Sequence, residues 1–172
     1  MMVPPSCPQT PEPEPSDSCL KKKAFWEQGL GKCYYFSNTY STWEDSRCSC
    51  QTLGGDLVKI DSMEEQKFLE EKVKNKMRIY EDRFWIGLTD LEEEKKWIWV
   101  DGSLLNTSLS FWFEGEPNNV ITEDPAGEHC VRMGTKKGAN DLKCWFDKSC
   151  NIPQRSICEK PAQTGHLQDV CV

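Results

Sequence analysis

The sequence has 172 residues, 37% of them hydrophobic and seven of them tryptophan, so we predict one core of moderate size in a single domain. Its formal net charge is −7, with acids and lysines interspersed, which argues against nucleic-acid binding because phosphates require a basic face. Ten cysteines beside only two histidines disfavour a structural zinc site and indicate a disulfide framework in an oxidising, extracellular compartment.

The first 18 residues are rich in proline and poor in apolar side chains, and we predict an extended stalk there. No apolar run reaches the roughly 18 residues of a membrane span, and residues 1–5 lack the basic and apolar regions of a signal peptide. We therefore expect either an anchor or signal outside this sequence, or a longer parent protein in which the domain follows a stalk.

A hairpin and a helix are predicted at the start of the domain. Aromatic residues on either side of Gly29 and Gly31 predict two short strands. The tetrapeptide Ser41-Thr42-Trp43-Glu44 predicts a helix start capped by the Ser41 hydroxyl, and Gly54-Gly55 predicts the end of that helix.

A second helix is predicted to open at Ser62 after a short strand. Its apolar face is predicted to hold Phe68, Leu69, Val73 and Met77. The aromatic strands that follow are predicted at 84–88, 97–100 and 111–113. The polar segments 114–129 and 134–143 are long for loops of a compact domain, so we expect the binding function to reside there.

Three segments carry a resemblance to a known family. Trp85-Ile86-Gly87-Leu88 is similar to the WIGL core strand of C-type lectin-like domains, Trp97 to Gly102 to their W-x-W-x-D-G segment, and Cys158-Glu159-Lys160 to their closing I-C-E-K. The resemblance covers residues 19–160 and leaves 161–172 as a C-terminal tail. It implies an α+β fold in which two helices flank short antiparallel sheets, with a long calcium- and ligand-binding loop region and disulfide staples.

The resemblance also implies a disulfide pattern. The bridges it implies directly are Cys50–Cys158, Cys130–Cys150 and, as in the long form of the domain, Cys19–Cys33. The remaining cysteines would pair as Cys48–Cys144 and Cys7–Cys171. Alternatively, Cys7 would link two chains through the stalk and give a homo-oligomer.

Glu116-Pro117-Asn118 resembles the calcium loop of sugar-binding members of the family. In those proteins a cis proline turns both flanking side chains toward one Ca²⁺ ion, which accepts two adjacent sugar hydroxyls. Glu116, Asn118 and Glu128 match the residues that bind both the ion and the sugar, and Asp147 matches a further ligand of the ion. The Glu-Pro-Asn order resembles mannose-type rather than galactose-type members.

Phe146 departs from the family pattern, because it replaces an asparagine that ligates the ion and donates to the sugar. A second register, with Asn140-Asp141 before Cys144, restores the asparagine but loses the tryptophan. We favour the register of Trp145 with Cys150. The segment 134–143 is then an enlarged hairpin tip, from which Asn140 and Asp141 could still reach the ion.

Asp90, Glu94 and Asn119 stand where the family often holds an accessory calcium ion. His129 replaces the usual acid at that site and removes a hard oxygen ligand, so we expect this site to be weaker than the first or empty. The alternative for Glu94 and its acidic neighbours is a solvated, charged turn.

The resemblance implies a calcium-dependent lectin domain of a cell-surface or secreted immune receptor, which binds mannose, fucose or N-acetylglucosamine ends of glycans or glycoproteins. One alternative is a calcium-independent, natural-killer-type receptor domain with a protein ligand, which Phe146 and His129 favour. A further alternative is an ice-binding relative, because Lys143 to Asp147 is similar to a segment of those proteins. An enzyme is not expected, because no nucleophile, base and acid form a recognisable set. Asn106-Thr107-Ser108 is an N-glycosylation sequon in a predicted surface loop.

Overall fold

The computed structural model describes residues 25–164 and 169–171. The helices are α1 (Trp43–Thr52) and α2 (Met63–Lys76), with short 3-10 turns at Thr107–Leu109 and Asn140–Leu142. The strands are β1 (Glu27–Gly29), β2 (Lys32–Phe36), β3 (Asp56–Leu57), β4 (Phe84–Thr89), β5 (Ile98–Trp99), β6 (Cys130–Met133), β7 (Trp145–Lys148), β8 (Arg155–Pro161), β9 (Gln163–Thr164) and β10 (Asp169–Val170). The predicted stalk lies outside the described residues. In the described part of the chain, no helix is long and apolar enough to cross a membrane.

One sheet organises the domain, with the strand order β1-β2-β8-β4-β6-β7. The strands pair antiparallel except β4 and β8, which run parallel, and the short strands β3 and β5 add to β8 and β4. Strands β9 and β10 form a separate two-stranded sheet. Two helices beside a mostly antiparallel sheet confirm the predicted α+β class.

The helix starts follow the expected capping chemistry, with one shift of register. Ser62 caps α2 as predicted, and its hydroxyl oxygen accepts a hydrogen bond from the Glu65 amide at 3.1 Å. For α1 the predicted cap was wrong by one residue, because Thr42 rather than Ser41 accepts the bond from the Asp45 amide, at 3.2 Å. Ser41 instead forms an antiparallel bridge with Gln154, so its backbone is already committed to the sheet.

The core is aromatic and centres on Trp145, which is fully buried. Its ring meets Trp99, Phe111 and Trp112 edge-on, with centroids 5.4 to 5.8 Å apart. The predicted strand at 111–113 is reduced to one isolated bridge between Trp112 and Trp145. These contacts fix the start of β7, whose later residues reach the candidate site.

The tip of the β6–β7 hairpin packs on α2. Gln66 is fully buried and donates to the Leu142 carbonyl at 2.8 Å, while its side-chain oxygen accepts from the indole N–H of Trp145 at 3.0 Å. The Ala139 amide donates to Glu70 on the same helix at 3.2 Å. The segment 134–143 is therefore anchored to the helix.

Disulfides join Cys50 to Cys158 and Cys130 to Cys150, the two bridges that the resemblance implied first. The bridge at the N-terminal hairpin differs from the expectation. Cys33 pairs with Cys171, so both Cys19–Cys33 and Cys7–Cys171 were wrong. The physical reason is that β8 continues beyond Lys160, and the chain after it returns along β9 and β10 to β2.

The expected Cys48–Cys144 pair was also wrong. Cys144 is a free, fully buried thiol that accepts a hydrogen bond from Gln66 at 3.4 Å. Burial raises the pKa of this thiol to about 12. Cys48 is disulfide-bonded, whereas Cys7 and Cys19 lie outside the described residues.

Candidate functional site

The candidate site is built where the long loop 114–129 meets the end of β7. The carboxylate of Asp147, which is buried, accepts hydrogen bonds from two consecutive loop amides, those of Asn118 at 3.0 Å and Asn119 at 2.7 Å. Because β7 pairs with β6 and begins at the buried Trp145, Asp147 gives the loop a rigid anchor.

Glu116 and Asn118 flank a cis peptide bond between Glu116 and Pro117. The Asn118 side-chain amide donates to Oε1 of Glu116 at 3.0 Å, so the two side chains lie side by side at the loop surface. The other carboxylate oxygen of Glu116, Oε2, is buried and has no hydrogen-bond partner. A buried carboxylate oxygen without a partner is costly unless a cation or a proton occupies it.

Glu128 supplies a third acid from the far end of the loop. It is 6% exposed, and its Oε1 accepts a hydrogen bond from the Val120 amide at 3.0 Å. Burial and the neighbouring carboxylates of Asp147 and Glu128 raise the pKa of Glu116 to about 8. Burial and the Asp147 charge also raise the pKa of Glu128, against the opposing effect of its bond to Val120.

The residues present fit a hard cation in part. Glu116, Asn118, Glu128 and Asp147 line one cleft of about 290 Å³, and the unpartnered Glu116 oxygen lies near the carboxylates of Asp147 and Glu128. Oxygen ligands of this kind suit Ca²⁺. Among the described residues, no group of three or more His, Cys, Asp or Glu side chains is arranged to hold a metal ion. The carboxylates of Asp147 and Glu128 accept hydrogen bonds from loop amides instead.

Phe146 offers the cleft no donor atom. Its ring is 8% exposed and lies between the side chains of Phe113 and Arg83. The ring of Phe113 stacks on it at a centroid distance of 4.9 Å, and the guanidinium of Arg83 lies 3.9 Å from its centroid. A calcium ion at this site therefore loses the side-chain ligand that the family pattern places here.

The residues predicted for an accessory calcium site also lie together, but around a histidine. The imidazole of His129 lies 2.8 Å from a carboxylate oxygen of Asp90 and 2.6 Å from the Ala126 carbonyl. Asn119 donates to Glu94 at 2.7 Å and accepts from the Glu128 amide at 2.8 Å. The hydrogen bonds to Asp90 and Ala126 outweigh burial and raise the pKa of His129. The imidazole thus takes the position, beside Asp90, that a second cation would need.

Asn140 and Asp141 were expected to be within reach of the ion, and that expectation was wrong. They lie in the hairpin tip that packs on α2, at the end of the hairpin next to Met133 and Trp145. The acids Glu128 and Asp147 lie at the opposite end, beyond Cys130. The favoured register was right, because Trp145 lies in β7 and Cys150 pairs with Cys130.

A family model described as "Lectin C-type domain" matches residues 19–160. The chain belongs to the C-type lectin family. The "C-type lectin domain family 4 member E" of Homo sapiens is a relative that is 42% identical over 134 residues, covering 78% of this chain and 56% of the relative. This C-type lectin spans less than two thirds of the length of the curated relatives it matches.

Solved structures agree with this assignment. The cow CD23 carbohydrate-recognition domain, crystallised in the presence of GlcNAc2Man3 oligosaccharide, has a TM-score of 0.64 and 34% identity, covering 81% of this chain and 95% of its own. A calcium-independent type II antifreeze protein has a TM-score of 0.62 and 28% identity, covering 80% and 92%. The relatives are lectins and receptors rather than enzymes.

Two features of the candidate site were not predicted from the sequence. Arg83 and Arg132 line the same cleft as Glu116, although neither belongs to a motif. The alternation of β6 and β7 places Arg132 and Phe146 on one face, but the pairing register was needed to show it. Gly127 was also missed, although a glycine next to Glu128 in a long loop could have indicated a tight approach of the backbone.

Proposed function

We propose that this domain binds glycans with mannose, fucose or N-acetylglucosamine ends, and that binding depends on calcium. The observation that carries the proposal is the unpartnered, buried carboxylate oxygen of Glu116, which faces the charges of Asp147 and Glu128. A cation would remove that imbalance, and a divalent ion with oxygen ligands is the simplest one that fits.

Glu116, Asn118, Glu128 and Asp147 are the residues that would hold the ion. Bound Ca²⁺ would supply open coordination positions for two adjacent sugar hydroxyls. In the proposal Asn118 donates a side-chain N–H to one hydroxyl, while Glu116 and Glu128 accept from the hydroxyls. Asp147 keeps the loop in place through the amides of Asn118 and Asn119.

Phe146 makes the proposed site weaker than one with the family's asparagine. The loss of one ligand and one donor to the sugar costs on the order of 1 to 3 kcal/mol. Replacing Phe146 by asparagine would not simply restore the ligand and the donor, because the Phe146 ring fills the space between Phe113 and Arg83. We therefore propose weak binding of a single sugar, with avidity from several domains displayed together on a cell surface or secreted scaffold.

The test measures binding of the oxidised domain to an immobilised mannose-terminated oligosaccharide, with calcium and with a chelator. Wild-type binding is expected to disappear with the chelator and in Glu116→Gln. The matched control is Glu114→Gln, which removes the same charge from an exposed position two residues earlier and should bind like wild type. Glycan binding that persists with the chelator would contradict the proposal.

A calcium-independent receptor domain with a protein ligand is the second candidate. It is favoured by His129, which takes the place of an acid and is bonded to Asp90 and Ala126, and by the packing of Phe146. Absence of binding to every neutral sugar, with and without calcium, would favour it over the lectin proposal.

A further inference from the structure

Arg83 and Arg132 line the cleft that also holds Glu116 and Asn118, and they adjoin the ring of Phe146 to form one wall of it. We propose that this wall, formed by Arg83, Arg132 and the ring of Phe146, is a subsite for an oxyanion, a sulfate or a carboxylate, carried by the glycan. The inference rests on the proposed sugar site, because it deepens that function by naming the ligand's charge.

The strand register puts these side chains together. Arg132 pairs with Phe146 across β6 and β7, and it pairs with Trp85 of β4 on its other side. Side chains at paired positions share one face of a sheet, and Arg83 precedes Trp85 by two residues and so points the same way. Their neighbours Met133 and Trp145 face the buried core.

The positive charge on this wall is only partly compensated. Arg83 and Arg132 share one carboxylate, that of Glu81, at 3.0 and 3.1 Å, and the Glu81 side chain is 66% exposed. The Arg132 side chain is 7% exposed and also bonds Gln154 at 3.1 Å, yet its Nε has no partner. Two guanidinium groups thus share one exposed acid, and a buried N–H of Arg132 is left without an acceptor, which is costly in a poorly solvated place.

The position of Arg83 is fixed by its contacts. Its Nε donates to the Gly134 carbonyl at 3.0 Å, and its guanidinium carbon lies 3.9 Å from the centroid of the Phe146 ring. A guanidinium presents its N–H donors in a planar fork, and this geometry suits oxyanions. Lys148, the third cation of the cleft, is paired with Glu123 and adds less.

The cleft connects this wall to the sugar site. Its lining includes Glu116 and Asn118 as well as Arg83, Phe146 and Arg132. Arg132 and Glu128 are close enough to interact electrostatically. A glycan seated at Glu116 would therefore extend over Phe146, and an oxyanion on the same or the adjoining sugar would meet the guanidinium groups. The neutral ligand of the proposed function lacks this contact.

The experiment compares three probes: N-acetylglucosamine, its 6-sulfated form, and a disaccharide that joins it to glucuronic acid. In calcium, we expect the wild-type domain to bind at least one acidic probe about tenfold more tightly than the neutral one, the factor expected for a charge-assisted hydrogen bond. The comparison between sulfate and carboxylate identifies which oxyanion fits. Raising the salt concentration should reduce the ratio.

Arg83→Gln should bring the ratio of affinities close to one, and Arg132→Gln should do the same if its thermal unfolding shows that it folds. The matched control is Arg78→Gln, an exposed arginine outside the cleft, which should keep the wild-type ratio. A wild-type ratio near one, with calcium-dependent binding of the neutral probe intact, would overturn the subsite alone. A preference that survives Arg83→Gln would also overturn it, whereas loss of neutral binding in the wild type would refute the proposed function.

Discussion

At the scale of single residues, the site is defined by how few hydrogen-bond donors its carboxylates have. Asp147 is satisfied by two amides, and Glu128 by one, but Oε2 of Glu116 is left over. The sequence could predict that Glu116, Asn118, Glu128 and Asp147 belong together, because the motif resembles that of known lectins. It could not predict the leftover oxygen, since that depends on which amides point inward.

Gly127 is the residue whose replacement tests the geometry of the loop. Its φ is +91°, and a Cβ atom there would lie 2.3 Å from Oδ1 of Asn119, which accepts the Glu128 amide. Gly127→Ala should break this hydrogen bond and weaken calcium-dependent glycan binding roughly fivefold, the factor for a bond of about 1 kcal/mol. The measurement is the dissociation constant for a mannose-terminated oligosaccharide.

Gly102→Ala is the matched control for that substitution. Gly102 has a similar φ of +88°, but no atom lies within 4 Å of a Cβ built there. Both variants should lose about 1 to 2 kcal/mol of stability from the strained backbone, whereas only Gly127→Ala should lose affinity. Equal glycan affinity in the two variants would show that the position of Asn119 does not matter to the site.

At the scale of elements, the β6–β7 hairpin connects the packing on α2 to the candidate site. One end packs on α2 through Gln66, and the other holds Glu128 and Asp147 at the site. The family resemblance favoured the correct register, because Cys150 keeps the usual spacing to Cys158 and Trp145 keeps the core tryptophan. The prediction that Asn140 and Asp141 reach the ion failed because nothing in the sequence shows that Gln66, a buried glutamine of α2, binds the hairpin tip.

Strands β2 and β8 meet over a charged cluster that should make stability depend on pH. Lys32 contacts Glu65, Glu159 and Asp61 at 3.0 to 3.2 Å, so three acids share one amine. Burial and the Glu65 charge outweigh Lys32 and raise the pKa of Glu159 to about 7, from 4.5. The folded state therefore holds this proton more tightly than the unfolded state does.

The sign of the effect follows from linkage. The stabilisation is fully present below pH 4.5 and is lost as the pH rises through about 7, so the free energy of unfolding should fall between pH 5 and pH 8. Glu159→Gln should remove part of that fall, as urea unfolding at the two pH values would measure. Glu27→Gln is the control, because Lys76 and Lys72 lower the pKa of Glu27 and place its titration below this range. An unchanged pH dependence in Glu159→Gln would refute the assignment.

At the scale of the whole molecule, the disulfides show what motif resemblance can and cannot supply. Cys50–Cys158 and Cys130–Cys150 close the domain at positions that the family pattern marks. Cys33–Cys171 was not predictable from spacing, because it depends on the chain after β8 folding back toward β2. The same limit applies to Cys144, whose hydrogen bond to Gln66 replaces an expected bridge.

The most direct test of the calcium-dependent lectin site is a calorimetric titration of Ca²⁺ into the oxidised domain and into Glu116→Gln. We expect wild-type binding of one ion in the micromolar to low-millimolar range that calcium sites span, and no binding heat in Glu116→Gln. Binding should release protons at pH 7, because the pKa of Glu116 is about 8 in the absence of the ion. A wild-type domain that gives no calcium heat, or a Glu116→Gln variant that binds as well as wild type, would contradict the account.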